Sequence, residues 1–372
     1  MVASERPKRR PHIVHLCANL REGGAEALVR QLAPQLIEAG LDVTLISVYG
    51  SRLDENEKSA LGVPVVEIGR TKRADYGYFP RLVGALRALK PDIVHTHLHT
   101  GKYAGRVAAL AAHVPSIVFT EHGDEHPGAI KTLFKRILNP RTARFVVFTE
   151  SQRAAFGAAE HVPIDRISVI PNGIAPTTAL IDRTAVRREL GLEPTDFALF
   201  LPARLAAQKN QRLALDALVQ SRSQRLRLVL AGDGPDRVTI ESFVRENGLR
   251  DRVRILGFRH DVRRLAGAMD AYVLASHWER MPLALGEAMM DGLPVISTPW
   301  EGVDDFITDG ETGYLARGFT PMELAAAYDR AVTDDALRER IRENAERDAR
   351  ARFDLRRTAR AHADLYNQLL SK

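Results

Sequence analysis

The chain has 372 residues, 45% of them hydrophobic and 27% charged, a soluble globular composition whose length suggests two domains. No apolar run approaches the ~18 residues that a membrane-spanning helix requires, and Cys17 is the only cysteine, which excludes an internal disulfide. The net charge of +6 lies wholly in the first half: residues 1–175 carry 23 Lys+Arg against 17 Asp+Glu, while the remainder carries 30 of each.

A basic half suits either a polyanionic partner or simple solubility. With no aromatic platform and no recognised motif beside it, nucleic acid is not expected as that partner. The basic stretch before His12 lacks the apolar core of a signal peptide, so a cytoplasmic protein is expected.

In chain order, "HIVHLC" (12–17) predicts a strand and "GAEALVRQLAPQLIEAG" (24–40) a helix. "DVTLISV" (42–48) predicts a strand, "FPRLVGALRALK" (79–90) a helix and "PDIVHTHL" (91–98) a strand. "GKYAGRVAALAAHV" (101–114) and "AIKTLFKRILN" (129–139) predict helices, separated by strand "SIVFTEHG" (116–123) and followed by strand "RFVVFTE" (144–150). Continuous apolar strands alternating with helices are the pattern of a parallel sheet covered on both faces. "PNGIAPTTALIDRTA" (171–185) breaks the alternation and predicts a linker.

The pattern restarts with strands "FALFLPARL" (197–205), "LRLVLAG" (226–232), "RVRILG" (252–257), "AYVLAS" (271–276) and "LPVIST" (293–298). Helices are expected at "QRLALDALVQS" and around 236–247, and they dominate from about 321 onward. One doubly wound domain thus follows another, with a cleft expected between them.

Several stretches carry candidate chemistry. In "ERMPLALGE", Pro282 suits a helix start and Gly292 its C-terminal cap, so Glu279 falls in the loop before a short helix and Glu287 more than one turn inside it. Two carboxylates flanking a helix N-terminus suit a ligand with phosphates in the middle and hydroxyls at both ends; two plain surface glutamates are the alternative. "NLREGGAEALV" places Gly23 and Gly24 at another helix start, without the G-x-G-x-x-G pattern. In "AGDGPDR" Arg237 stands where a third glycine would be needed.

"PARLAAQKNQ" puts Arg204 and Lys209 at a strand end, where a fork and a point charge suit a diphosphate, or where both are merely solvated. His95, His97 and His99 alternate at a strand end. They are read as polar strand ends facing a cleft rather than as metal ligands. His122 ends another strand, where a ligand contact is favoured over a core role. No Asp-x-Asp, P-loop, G-x-S-x-G or H-E-x-x-H is present.

Taken in order, "GGAE", "SVIPNGI", "ARLAAQK", "LAGDGP", "ILGF" and "ERMPLALGEAMMDGLPVIST" resemble the retaining nucleotide-sugar glycosyltransferases of the GT-B fold, family 4 type (glycosyltransferases group 1), over nearly the whole chain. The resemblance implies an α/β protein of two Rossmann-like, doubly wound parallel-sheet domains facing each other across a cleft. Residues 1–174 would form the N-terminal acceptor domain and 175–352 the C-terminal nucleotide-sugar donor domain. Residues 353–372 would be a helix returning to the first. The implied reaction moves a hexosyl group from a nucleotide diphosphate sugar to a hydroxyl of a glycan or lipid-linked acceptor, with retention, in cell-envelope or exopolysaccharide synthesis. No cofactor and no metal would be needed.

By the same resemblance, Glu279 would bind donor-sugar hydroxyls and Glu287 the ribose diol. The backbone of Met281, Pro282 and Leu283 would lie against sugar and diphosphate, and Arg204 and Lys209 would hold the diphosphate. His122 would lie near the donor sugar, and Gly23 and Gly24 near the phosphates and acceptor. A sugar-nucleotide epimerase or phosphorylase, or a noncatalytic sugar-nucleotide sensor, are the alternatives. The chain departs from the pattern at "WEGVDDFI", where Asp305 stands at the glutamate position and Trp300 is bulky for its place.

Finally, "GAIKTLFKRILNPRTAR" (128–144) gathers Ile130, Leu133, Phe134, Ile137 and Leu138 on one helical side. Lys131, Lys135 and Arg136 fall away from it, and Arg141 and Arg144 follow. Such a segment suits peripheral attachment to an anionic membrane surface, or packing on a sheet.

Overall fold

The computed structural model describes residues 9–21, 23–72, 74–122, 129–177, 181–279 and 282–371, with the backbone alone at 129–131. The chain divides into two compact units. One comprises residues 1–175 together with 353–372, the other residues 176–352.

The first unit holds seven strands: β1 (His12–Cys17), β2 (Asp42–Ser47), β3 (Val65–Glu67), β4 (Ile93–His97), β5 (Ser116–Thr120), β6 (Arg144–Val147) and β7 (Ile167–Val169). Their order is β3-β2-β1-β4-β5-β6-β7, all parallel. Alternate residues of β1 face opposite cores. Ile13 and Cys17 join one apolar cluster with Val29, Leu32, Leu365 and Tyr366, while Val14 and Leu16 join another with Leu82, Val94 and Ala108. Both faces are therefore covered, which is why these strands read as continuous apolar runs.

The C-terminal helix Leu355–Leu370 belongs to this unit, burying Leu355, Thr358, Ala359, His362, Ala363, Leu365 and Tyr366 at three- and four-residue spacing. Its start is clamped to residues 171–174. The Ile174 amide donates to Phe353 O at 2.7 Å, and Thr358 Oγ1 donates to Pro171 O at 3.0 Å. A Cβ on Gly173 would lie 2.7 Å from Leu355 Cα, so only glycine permits this approach.

The second unit holds β8 (Phe197–Pro202), β9 (Leu226–Ala231), β10 (Val253–Ile255), β11 (Ala271–Leu274), β12 (Val295–Ser297) and β13 (Tyr314–Leu315), ordered β10-β9-β8-β11-β12-β13 and again all parallel. Its main core joins strand residues such as Leu199, Leu228 and Val273 to Leu215, Phe243, Leu324 and Tyr328 from the covering helices.

In each sheet the order runs outward in both directions from the first strand. The chain reverses between β1 and β4 in one unit and between β8 and β11 in the other. Loops leaving the carboxyl ends of two such strands diverge, and ligands of doubly wound sheets bind in the crevice they leave.

Candidate functional site

In the second unit, the loops after β8 and β11 bring the expected residues together. Lys209 Nζ lies 2.6 Å from Glu279 Oε1, and the Ser276 hydroxyl donates to the same oxygen at 2.5 Å. The Glu279 side chain is only 6% exposed. Two further bonds zip the loops: the His277 amide donates to Gln208 O at 2.9 Å and Gln208 Nε2 donates to Trp278 O at 3.0 Å. Thr298, past β12, donates its hydroxyl to Ser276 O at 2.7 Å. Ser276, Gln208 and Thr298 were not singled out from the sequence, because single hydroxyls and amides carry no spacing signal.

Arg204 sits on the same β8 loop but is exposed and outside the Lys209–Glu279 contact. Its backbone is held firmly: Gln211 Nε2 donates to Arg204 O at 3.0 Å, and the Leu205 amide donates to Asp233 O at 3.0 Å. Gly232 and Gly234 press against the carbonyls of Ala203 and Leu205, and Gly232 adopts φ +153°. Those two glycines therefore have a local task, seating the Arg204 loop, rather than forming a dinucleotide turn.

Pro282 precedes the helix Leu283–Met290, and its carbonyl accepts from the Leu285 amide at 3.0 Å; Gly292 follows at φ +68°. The first amides of such a helix have no intrahelical acceptor. Glu287 lies within the helix, half-buried, and burial raises its carboxyl pKa above the usual range, only partly offset by Arg263. Burial, followed by Glu279 and Glu287, also pushes the Tyr272 phenol up, so both glutamates bear on one interior ring. Met281 lies outside the described residues.

Trp300, expected to be too bulky, is accommodated as core. It is 2% exposed, its Nε1 donates to Ser297 Oγ at 3.1 Å, and its ring packs 5.6 Å from Phe306. Asp305 lies in the short turn Val303–Asp305, where its carbonyl accepts from Arg352 at 2.6 Å.

In the first unit, Gly23 has φ +100° and caps the helix Gly24–Glu38, and a Cβ there would lie 2.5 Å from Glu26 Oε2. That helix start already carries a buried carboxylate. His122, two residues past β5, is partly exposed, with Nε2 3.1 Å from His97 Nδ1 and its ring 5.3 Å from Phe148.

The neighbouring histidines correct the sequence reading. His95 and His97 do not face a cleft; both are fully buried, beside His15 of β1 and beneath His362 and Tyr366 of the C-terminal helix. His99 leaves the series because Leu98, at φ +57°, starts a helical turn that sets His99 against Tyr103. Nitrogens of His15, His95 and His97 lie within 4.8 Å of one another, a spacing a metal ion could use. All six ring nitrogens, however, already face hydrogen-bond partners.

On helix Ala129–Leu138, Leu133, Phe134 and Ile137 are exposed and Leu138 is buried, so the expected apolar stripe divides. Lys135 does not stand free as expected: it is 2.7 Å from buried Glu160, which Lys102 also meets at 3.1 Å. Among the described residues no helix is long and apolar enough to cross a membrane.

Comparison with known proteins agrees with this architecture. Residues 182–348 match the family described as glycosyl transferases group 1, and residues 22–178 match glycosyltransferase family 4. A D-inositol 3-phosphate glycosyltransferase of Xylanimonas cellulosilytica is 30% identical over 74% of this chain and 72% of its own length. The Escherichia coli UDP-Gal:alpha-D-GlcNAc-diphosphoundecaprenol alpha-1,3-galactosyltransferase is 31% identical over 62% of this chain and 63% of its own. Among solved structures, HepE of Anabaena in complex with UDP and glucose superposes with a TM-score of 0.82 at 22% identity, covering 96% of this chain and 100% of that one. A glycosyltransferase from Rickettsia africae gives 0.84 at 17%, covering 97% and 99%. Two parallel doubly wound sheets, both family matches and a relative of this identity together make the chain a member of the group 1, family 4 glycosyltransferases, with a fold of the GT-B type.

Proposed function

We propose that this enzyme transfers a hexosyl group from a nucleoside diphosphate sugar to a hydroxyl of a glycan or lipid-linked acceptor, with retention and without a metal, in cell-envelope or exopolysaccharide synthesis. The observation that carries the reading is the pairing of Lys209 with Glu279 at the edge where the second sheet reverses, next to the helix that carries Glu287. The UDP and glucose bound to the Anabaena protein, and the UDP-galactose and lipid-linked acceptor in the name of the Escherichia coli relative, make UDP sugars the first donors to try and a lipid-linked glycan the first acceptor.

On this reading Glu287 takes the ribose diol and Glu279 the sugar hydroxyls. The Met281–Leu283 backbone lies along the diphosphate, with Gly23 and Gly24 near phosphates and acceptor. Negative charge grows on the diphosphate as its bond to the sugar breaks. Lys209, Arg204 and the free amides at the start of helix Leu283–Met290 meet that charge. Lys209 carries out this role by exchanging Glu279 for phosphate as the sugar engages Glu279. The acceptor proton passes to the departing phosphate on the same face of the sugar; among the described residues no carboxylate is better placed as base. His122 is assigned to the donor sugar.

Leu133, Phe134 and Ile137, exposed on one helix with Arg136 beside them, support a further part of the reading: a cytoplasmic enzyme attached peripherally to an anionic membrane surface.

The test is incubation with a panel of nucleoside diphosphate sugars, following free nucleoside diphosphate and the anomeric proton of the released sugar. One donor is expected to be hydrolysed slowly, with the starting anomer as first product. Binding without any turnover would make the protein a sensor, and first release of the opposite anomer would exclude retention.

A further inference from the structure

Six side chains in the first unit stand in one hydrogen-bonded line that ends on His122. Thr120 Oγ1 lies 2.6 Å from His95 Nε2, and His95 Nδ1 lies 2.6 Å from the Tyr366 hydroxyl. That hydroxyl lies 3.4 Å from His15 Nε2, and His15 Nδ1 lies 2.9 Å from His97 Nε2. His97 Nδ1 completes the line, 3.1 Å from His122 Nε2. The members come from β1, β4, β5, the loop just past β5 and the C-terminal helix, and all but His122 are at most 3% exposed.

We propose that His97, His15, Tyr366 and His95 are positioning residues that set the ring orientation and tautomer of His122. The inference rests on the proposed placement of His122 at the donor sugar.

A neutral imidazole has one N–H and one lone pair, and a hydroxyl has one proton to give. Each imidazole therefore passes its sense to the next. Tyr366 could accept from both His95 and His15, but its own buried proton would then have no acceptor among the described residues, so two arrangements satisfy every donor in the line. In one, Thr120 donates to His95, and His95, His15, His97 and His122 all carry their proton on Nδ1. In the other, the sense is reversed and all four carry it on Nε2. The four histidines must share one tautomer. The remaining nitrogen of His122, Nδ1, is a donor in the first arrangement and an acceptor in the second, so its hydrogen-bonding character is decided by groups as far away as β1 and the C-terminal helix.

Protonating His97, which has a histidine on each side, would turn two N–H groups toward each other and break the line. Burial works in the same direction: it pushes His15 down to about 3, and His95 and His97 well below their ordinary value. His362 stands beside the line without joining it; its Nδ1 donates to Thr358 O at 3.0 Å.

The test is a long-range proton–nitrogen spectrum of the whole chain labelled with ¹⁵N-histidine, which separates Nδ1–H, Nε2–H and mixed forms. His15, His95, His97 and His122 are expected to report one common tautomer. Tyr366→Phe removes a single hydroxyl and should uncouple His95 from the other three. His97→Leu should leave His122 a mixture of tautomers. Turnover should then fall, on the order of 10²-fold as for a misplaced contact group, with donor KM changed little. Mixed tautomers in the wild-type chain would overturn the proposal. So would an unchanged His122 spectrum in His97→Leu, or a stoichiometric metal ion held by His15, His95 and His97. The spectra do not need turnover, so an enzyme inactive on every donor would count against the proposed function while leaving this test intact.

Discussion

Lys209 and Glu279, 70 residues apart, share a 2.6 Å contact between the loops of two adjacent parallel strands, and Ser276 shares the same carboxylate oxygen. Glu279 is almost wholly buried, while Lys209 keeps about a quarter of its side chain exposed. Removing Lys209 strands an interior carboxylate; removing Glu279 leaves a cation that water still reaches. Lys209→Ala should therefore cost more stability than Glu279→Ala. A double-mutant cycle by urea unfolding should give a coupling of about 0.5–3 kcal/mol. Additive effects would mean that the pair contributes nothing as a pair.

The same pair predicts the metal dependence. If Lys209 and Arg204 meet the leaving diphosphate, turnover should survive a chelator unchanged, and Lys209→Ala should lower kcat by roughly 10²–10³-fold, as loss of a charge-stabilising donor does elsewhere. Loss of activity on chelation, restored by magnesium or manganese, would contradict the assignment.

The histidines predict an acid limit for the first unit. Four of them, His15, His95, His97 and His362, are buried and resist protonation; His362 is held at about 4 and His15 at about 3. In the unfolded chain each takes a proton near its ordinary pKa of about 6.5. The unfolded state therefore binds more protons below that pH. The contribution of these groups is complete above about 6.5 and falls as pH drops toward 4 and 3. At about 1.4 kcal/mol per pH unit for each group, four together remove roughly 5 kcal/mol per unit, against a typical domain stability of about 5–15 kcal/mol. Both tryptophans, Trp278 and Trp300, lie in the second unit, whose two histidines are exposed. Circular dichroism should show a first loss of structure between about pH 6 and 4.5 that tryptophan emission does not report. Coincident transitions by both probes would contradict this.

Membrane attachment is testable on helix Ala129–Leu138. Leu133→Ser with Ile137→Ser should abolish co-sedimentation with anionic vesicles, and Arg136→Gln should weaken it by about 1 kcal/mol at low salt. Lys135→Ala should act mainly on stability, because Lys135 is tied to Glu160. Equal binding to neutral and anionic vesicles, or none to either, would remove the membrane from the account.

Much of this architecture was legible in advance. Runs such as "HIVHLC" and "LRLVLAG" announced strands because both faces of each sheet are covered, and Glu279 and Lys209 were found as loop residues at strand ends. The short strands β3, β7 and β13 were not found, since two or three residues show no periodicity. The helix Glu150–Glu160 was missed because "ESQRAAFGAAE" has only one large apolar side chain. The burial of His95 depends on Tyr366, 271 residues later, and the engagement of Lys135 on Glu160. No local pattern encodes either contact.

The central claim is that the second unit holds a nucleoside diphosphate sugar with Glu287 at the ribose and Glu279 at the sugar. Calorimetric titration of free nucleoside diphosphates, UDP first, into the wild-type chain and the two alanine variants tests it most directly. Glu287→Ala should weaken the free diphosphate by about 1.5–3 kcal/mol, the worth of hydrogen bonds to a charged group. Glu279→Ala should leave that affinity unchanged and lower only the turnover of the intact donor. Equal weakening in both variants, or no binding of any nucleoside diphosphate to the wild-type chain, would contradict the account.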